Sequence, residues 1–269
     1  MQEETKSSQK AEMKVVDKLK HTGAVTAPSL FTLGNLACGF FSILAAAKGH
    51  FAQAGWLILF AAVFDMFDGR VARLLGTESN FGVEMDSLAD AISFCTAPAM
   101  LMYFFVLHQQ PIWGAPIACV YACFGVLRLA KFNTMALAGE GSKKYFSGLP
   151  VPAPAALLAS FAISYSIMEG NMGGHNIRLL TPYLPHLYNF VWFAMLILAL
   201  LMVSNVPYAA FKAKREKRMS VWALLLIVFL VVLLIRYPQD VILIVFSAYV
   251  IFGLLAVLYR AFRGIKVEK

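Results

Sequence analysis

The sequence is poor in charged residues, in paired cysteines and in clustered histidines. Charged residues make up 14% of the 269 positions, whereas a soluble domain carries about 25%. This shortage, together with a mean hydropathy of +0.70, excludes an ordinary soluble protein. The four cysteines lie in apolar runs without a CxxC pair, and the five histidines stand apart from one another. The sequence therefore argues against a redox centre or a Cys/His metal site.

Long apolar runs dominate the sequence instead. A hydrocarbon core about 30 Å thick needs roughly 20 apolar residues per helical span. The runs do not alternate with period two as barrel strands do, and a helix satisfies its own backbone hydrogen bonds inside the bilayer. The sequence predicts an all-α polytopic transmembrane bundle with eight spans, at 29–47, 53–75, 86–107, 112–132, 149–168, 187–209, 220–236 and 240–261.

The distribution of basic residues predicts the orientation of these spans. With the N-terminus in the cytoplasm, all but three of the 23 basic residues fall on the cytoplasmic side, the exceptions being Lys48, Arg178 and Arg236. This asymmetry follows the positive-inside rule and predicts a multi-pass protein of the cytoplasmic membrane with both termini inside. Because topology accounts for the net charge of +8, we expect no nucleic-acid partner.

Three segments are expected along the chain. Residues 1–26 form a polar segment that can lie at the membrane surface. Residues 27–210 form a transmembrane core of six helices, which contains the acidic cluster described below. Residues 211–269 add two further helices and a basic tail.

Six of the fifteen acidic residues lie within residues 65–90. Asp65 and Asp68 are three positions apart, and Asp86 and Asp90 are four apart, so each pair shares a helix face. One ionised carboxylate at mid-membrane costs roughly 2.5–3.5 kcal/mol, and four together also repel one another. Divalent cations such as Mg²⁺, Mn²⁺ or Ca²⁺ prefer oxygen ligands and would neutralise such a cluster.

The same stretch fits the pattern D-x2-D-G-x2-A-R-x8-G-x3-D-x3-D, read at Asp65, Asp68, Gly69, Ala72, Arg73, Gly82, Asp86 and Asp90. This pattern resembles the signature of the CDP-alcohol phosphatidyltransferases. Segments 27–43, 81–99, 128–133 and 146–156 are similar to the phosphatidylserine synthase branch of that family. The resemblance implies transfer of the phosphatidyl group of CDP-diacylglycerol to the hydroxyl of L-serine, with release of CMP, by metal-assisted in-line displacement.

The resemblance also implies roles for individual residues. Two divalent cations, Mg²⁺ or Mn²⁺, would be held by Asp65, Asp68, Asp86 and Asp90. Asp86 and Asp90 would be catalytic, with Asp90 as the general base on the acceptor hydroxyl. The CDP-lipid would bind against Thr32, Asn35, Gly69, Ala72, Arg73 and Gly82. The resemblance also implies that the protein forms a homodimer and that membrane lipids surround it.

The acceptor site is predicted from the cytoplasmic end of the fourth span. Free serine carries a carboxylate, and an arginine can bind a carboxylate with two parallel hydrogen bonds. Arg128 lies deep in an apolar run, and Lys131 and Asn133 follow it, so these three are candidate serine-binding residues. Lys143 and Lys144 instead fit the flanking charge that topology requires.

Two alternatives remain open from the sequence. A family member could use another acceptor, such as choline, glycerol phosphate or inositol phosphate. A protein of a different class, a divalent-cation transporter, would place ionisable residues at mid-membrane, whereas the acids here gather near one membrane face.

Overall fold

A computed structural model describes residues 30–75, 80–137, 145–170, 173–204, 207–209 and 232–263. Within these ranges, six helices are long and apolar enough to cross a membrane, which confirms the predicted polytopic helical bundle. The predicted span 220–236 lies outside the described residues except for 232–236, which are helical. The count of eight spans and the division at residues 26 and 210 therefore stay predictions.

The first two helices form an antiparallel hairpin. Helix α1 spans Leu30–Ala47 and α2 spans Phe51–Leu75. The turn between them contains Gly49 at φ 80°, a left-handed conformation that glycine adopts without steric penalty. The buried hydroxyl of Ser42 on α1 donates to the carbonyl of Ala54 on α2 at 2.9 Å, which fixes the two helices side by side.

The third membrane span is built from three helical pieces. Helix α3 spans Asn80–Asp90, a π-helix spans Ala91–Thr96, and α4 spans Ala97–Phe105. The backbone N–H of Ala97 bonds the carbonyl of Ile92, five residues earlier. Pro98 follows at once and has no N–H for the ordinary four-residue bond, which accounts for the wider winding here. A short 3₁₀ turn then covers Leu107–Gln109.

The remaining elements complete the bundle. Helices α5, α6, α7 and α8 span Gly114–Leu137, Pro152–Met168, Leu184–Val203 and Pro238–Arg263, with a 3₁₀ turn at Thr181–Tyr183 before α7. Strands β1 (Tyr145–Ser147) and β2 (Pro207–Ala209) pair antiparallel. The predicted span 187–209 was therefore too long at its end, since α7 stops at Val203 and residues 207–209 are strand.

Helix α6 lies in the interior of the bundle. Helices α2 and α8 both pack along it, while α5 packs against α7. None of the residues of α6 is exposed, and it has 17 residues where the six longer candidates have at least 18. Gly55 allows α2 to approach α6 closely, because a Cβ at this position would lie 2.7 Å from the carbonyl oxygen of Ala159. A helix that is apolar all round and made largely of small residues suits this enclosed position.

A buried polar network joins α6 and α8 at the end of α6 where Ser164 lies. The carboxylate of Asp240 accepts hydrogen bonds from the Ser164 hydroxyl and from the backbone N–H of Ile177, both at 2.6 Å. The amide of Asn176 donates to the carbonyl of Ser164, and Gln239 donates to the carbonyl of His175. We call these residues the Asp240 network. It ties the connection before α7 to the start of α8.

Candidate active site

The carboxylates predicted from helical spacing come together between α2 and α3. Asp65, Asp86 and Asp90 each offer one oxygen atom, and these oxygens lie within 4.8 Å of one another. Asp90 is buried, and Asp65 and Asp86 are half-buried. Three clustered carboxylate oxygens form a donor set that suits a hard divalent cation. We call these three residues the Asp triad.

Asp68 belongs to the same neighbourhood but lies outside the Asp triad. It is buried, it accepts a hydrogen bond from the hydroxyl of Thr32 on α1, and it is within electrostatic range of Asp65 and Asp86. The family resemblance implies that all four aspartates bind metal, and in the structure the oxygens that lie within 4.8 Å of one another are those of Asp65, Asp86 and Asp90.

Helix α1 contributes a second contact to the cluster. The side-chain amide of Asn35 donates to Oδ1 of Asp90 at 3.0 Å. The hydroxyl of Ser93, in the π-helix, donates to the backbone carbonyl of Asn35 at 2.9 Å. Thr32 and Asn35 therefore face the aspartates, and their side-chain donors contact carboxylates. Sequence reasoning missed Ser93, because only the packing of α1 on the π-helix makes it a neighbour of Asn35.

The other residues of the sequence pattern are on the same two helices. Gly69 is exposed on α2, directly after Asp68, and Gly82 is partly buried on α3, one turn before Asp86. Ala72 and Arg73 lie within α2, and their side chains fall outside the described part of the chain.

Arg128 on α5 is a buried cation beside the cluster. It is only 6% exposed, and it lies within electrostatic range of Asp90 and of Tyr249 on α8. Its guanidinium carbon is 5.8 Å from the centre of the Phe132 ring, and its Nε has no hydrogen-bond partner within the described ranges. The Nε–H of this buried arginine is therefore a donor available to an anionic ligand.

The two polar residues that follow Arg128 have different environments. Asn133 donates from its amide to the hydroxyl of Ser87 at 2.7 Å, and Ser87 donates to the carbonyl of Val83. Asn133 therefore joins α5 to α3 beside Asp86. Lys131 is partly buried. The two lysines at 143 and 144 lie outside the described residues.

Within the described residues, the four carboxylates of this site have a single buried cation beside them, Arg128. Such a cluster is costly without counter-charge, because ionised groups in a low-dielectric site repel strongly. The oxygen-only donor set fits Mg²⁺ or Mn²⁺ better than a soft metal. The arrangement can hold divalent cations beside a candidate general base and a cationic binding group, which is what phosphoryl transfer to an alcohol requires.

Comparison with known proteins agrees with this chemistry. The sequence profile of the CDP-alcohol phosphatidyltransferase family matches residues 25–191, which include α1 to α6 and the start of α7. The chain belongs to the CDP-alcohol phosphatidyltransferase family. It is therefore a membrane-embedded transferase of phospholipid biosynthesis. The family match contains the Asp triad, Asp68 and Arg128, and it ends before α8.

Several members of the family are similar to the chain over a large part of their length. A CDP-diacylglycerol–serine O-phosphatidyltransferase of Helicobacter pylori is 36% identical over 236 residues, which cover 86% of this chain and 91% of that relative. The Bacillus subtilis protein of the same name is 37% identical over 141 residues, 52% of this chain and 76% of that relative. Archaetidylserine synthase of Methanothermobacter thermautotrophicus is 37% identical over 147 residues, 54% of this chain and 61% of that relative.

Proposed function

We propose that this family member is a CDP-diacylglycerol–serine O-phosphatidyltransferase. The hydroxyl oxygen of L-serine attacks the phosphorus that carries diacylglycerol, the bond from that phosphorus to CMP breaks, and phosphatidylserine and CMP are the products. The names of the three relatives support serine as the group that accepts the lipid.

The observation that carries this proposal is the acidic cluster, in which one oxygen each of Asp65, Asp86 and Asp90 lie within 4.8 Å of one another. These residues, with Asp68, would hold two divalent cations, Mg²⁺ or Mn²⁺. Bound there, the cations supply positive charge for the phosphate oxygens and for the CMP that leaves. The fit rests on the donors themselves, which are hard oxygen ligands gathered in one place.

Asp90 is the proposed general base. A serine hydroxyl is a weak nucleophile at neutral pH, so a carboxylate must take its proton as the new bond forms. Asp90 is the most buried member of the Asp triad, and its Oδ1 already accepts a hydrogen bond from Asn35. Asp86, one turn earlier on the same face, completes the catalytic pair.

Arg128 is proposed to bind the carboxylate of serine. The site needs a fixed cation close to the general base, and Arg128 is buried within electrostatic range of Asp90. Its unpartnered Nε supports a role in binding an anion. Lys131 and Asn133 are secondary candidates, and the bond from Asn133 to Ser87 favours a supporting role in holding α5 against α3.

The CDP-lipid is proposed to lie against α2 and α3, where Gly69 and Gly82 lack side chains that would block its approach. Ala72 and Arg73 complete this surface in the proposal. The family resemblance assigned Thr32 and Asn35 to the same pocket, and their side chains donate hydrogen bonds to Asp68 and Asp90.

We further propose that the protein lies in the cytoplasmic membrane with its active site facing the cytoplasm, and that it assembles as a homodimer. The asymmetry of the basic residues supports the cytoplasmic membrane, with both termini and the Asp triad on the cytoplasmic side. Serine and CMP are soluble in water and would reach the site from there, while the acyl chains stay in the bilayer. A homodimer is the proposed assembly, and mass measurement of the detergent-purified protein tests it.

Purified protein supplied with CDP-diacylglycerol, labelled serine and Mg²⁺ or Mn²⁺ tests the reaction. We expect CMP and labelled phosphatidylserine in equal amounts. Turnover with choline, glycerol phosphate or inositol phosphate, and none with serine, would overturn the acceptor and keep the reaction class. Flux of Mn²⁺ into proteoliposomes that survives Asp90→Asn would instead favour the transporter.

A further inference from the structure

Three buried residues form a chain of hydrogen bonds that ends on the proposed general base. The Ser93 hydroxyl donates to the backbone carbonyl of Asn35 at 2.9 Å, and the Asn35 amide donates to Oδ1 of Asp90 at 3.0 Å. Ser93 and Asn35 are completely buried. Ser93 follows Asp90 by only three residues, so α1 is attached twice to the same short segment.

Close backbone packing sets the position of this chain. A Cβ on Gly39 would lie 2.3 Å from the hydroxyl oxygen of Ser93 and 2.7 Å from its Cα. Gly39 is four residues after Asn35 and lies on the same face of α1. The helix can approach the π-helix this closely only with glycine at that position, and this approach brings the Asn35 amide to Asp90.

The orientation of the Asn35 amide follows from the chemistry of its partner. An ionised carboxylate only accepts hydrogen bonds, so the amide must present its nitrogen to Asp90. Its Oδ1 is then a buried acceptor that has no partner among the described residues. If this amide served packing alone, both its nitrogen and its oxygen would be expected to have hydrogen-bond partners, because an unpaired buried acceptor is destabilising. The side chain of Asn35 is therefore placed for its contact with Asp90 and not for full hydrogen bonding of its own amide.

We propose that Asn35, held by Ser93, is a positioning residue for the general base. By donating to Oδ1 of Asp90, Asn35 fixes the plane and the direction of the carboxylate. This inference rests on the proposed role of Asp90, and it replaces direct contact of Asn35 with the CDP-lipid.

Steady-state kinetics of single variants distinguish positioning from lipid binding. Asn35→Ala is expected to lower kcat by about tenfold or more, since a misplaced base loses part of the ~10²–10⁴-fold that general-base catalysis contributes. The KM for CDP-diacylglycerol and for the acceptor should change by no more than about twofold, because Asn35 would touch neither substrate. A large rise in the KM for CDP-diacylglycerol at unchanged kcat would overturn the inference.

Ser93 provides a milder test with a matched control. Ser93→Ala should lower kcat by about three- to tenfold, because one of the two hydrogen bonds that hold Asn35 in place is lost. Ser93→Thr keeps a hydroxyl and should recover most of that loss. Ser42→Ala removes an equally buried hydroxyl-to-carbonyl bond farther along α1 and should leave kcat within about twofold of wild type. Equal losses in Ser93→Ala and Ser42→Ala would show a merely structural effect and overturn the inference.

The same assays distinguish a failure of the role proposed for Asn35 from a failure of serine as the acceptor. If the wild-type protein turns over another alcohol instead of serine, the variants are measured with that alcohol, and the expected kcat pattern is unchanged. If Asn35→Ala does not fold in detergent, the comparison of Ser93→Ala, Ser93→Thr and Ser42→Ala decides the question alone.

Discussion

The Asp240 carboxylate and the Ser164 hydroxyl meet at 2.6 Å, and this bond links the start of α8 to the end of α6. Asp240 is fully buried, and its other oxygen accepts the backbone N–H of Ile177. Asp240→Ala leaves both donors without a partner, and each hydrogen bond to a charged group contributes about 1.5–3 kcal/mol. We expect a lower Tm in detergent.

Ser164→Ala serves as the comparison for that variant. It removes one of the two donors to Asp240 and should lower Tm by a smaller amount. Ile163, next to Ser164, packs against Gly55 of α2, and Asp65 lies ten residues farther along that helix, about 15 Å away. The KM values of folded Asp240→Ala should therefore match those of wild type. An unchanged Tm in Asp240→Ala would contradict a stabilising role for the network.

Asp90→Asn is expected to lower kcat by about 10²–10⁴-fold, which is the usual contribution of a general base. The amide keeps an oxygen for a metal ion but cannot take the acceptor proton, so binding of Mn²⁺ should persist in weakened form. CMP release and Mn²⁺ binding measure the two effects separately. Glu84 on α3 is an exposed carboxylate, and Glu84→Gln serves as the control. A near-normal rate in Asp90→Asn would remove Asp90 from this role.

Removal of divalent cations should abolish turnover, and Mg²⁺ or Mn²⁺ should restore it. Asp65→Asn is expected to raise the Mn²⁺ concentration for half-maximal activity by about tenfold or more. Loss of a direct metal ligand should cost at least as much affinity as loss of an outer hydrogen-bond partner, which costs ~10–100-fold. Asp68→Asn should have a smaller effect on that concentration, because Asp68 lies outside the Asp triad and is bonded by Thr32. Full activity in EDTA would contradict the metal assignment.

Arg128→Ala is expected to raise the KM for serine by about tenfold or more while the KM for CDP-diacylglycerol stays close to wild type. The reason is the loss of a charge-assisted bond to the serine carboxylate, which is stronger than a neutral hydrogen bond. Arg128→Lys should recover only part of the affinity, because a lysine cannot form the two parallel bonds. Arg178 is exposed on the connection before α7, and Arg178→Ala is the control. An unchanged serine dependence in Arg128→Ala would move the binding role elsewhere.

Much of the fold could be predicted because it follows from short-range patterns. Apolar runs of membrane length located the helices, and the spacing of Asp65 and Asp68, and of Asp86 and Asp90, placed each pair on one helix face. The pairing of these two faces also followed, since α2 and α3 are joined by a short connection. These inferences needed only residues that are close together in the chain.

The contacts that tune the site could not be predicted in the same way. Thr32 is 36 residues from Asp68, and Ser93 is 58 residues from Asn35. The family resemblance placed Thr32 and Asn35 at the site but did not say which carboxylate each would contact. Serine is common in transmembrane helices, so nothing local marks Ser93 as a neighbour of Asn35. The π-helix depends on how Pro98 interrupts the backbone bonds, and the pairing of β1 with β2 depends on two segments that α6 and α7 separate.

The enclosed position of α6 has a consequence for how the protein is made. Its two main partners are made at different times, since α2 precedes it and α8 is the last described helix of the chain. Until α8 is synthesised, α6 lacks one of these two partners, and the Ser164 hydroxyl has no carboxylate to meet. A nascent chain that stops short of α8 therefore leaves the side of this alanine-rich helix that α8 covers open to lipid.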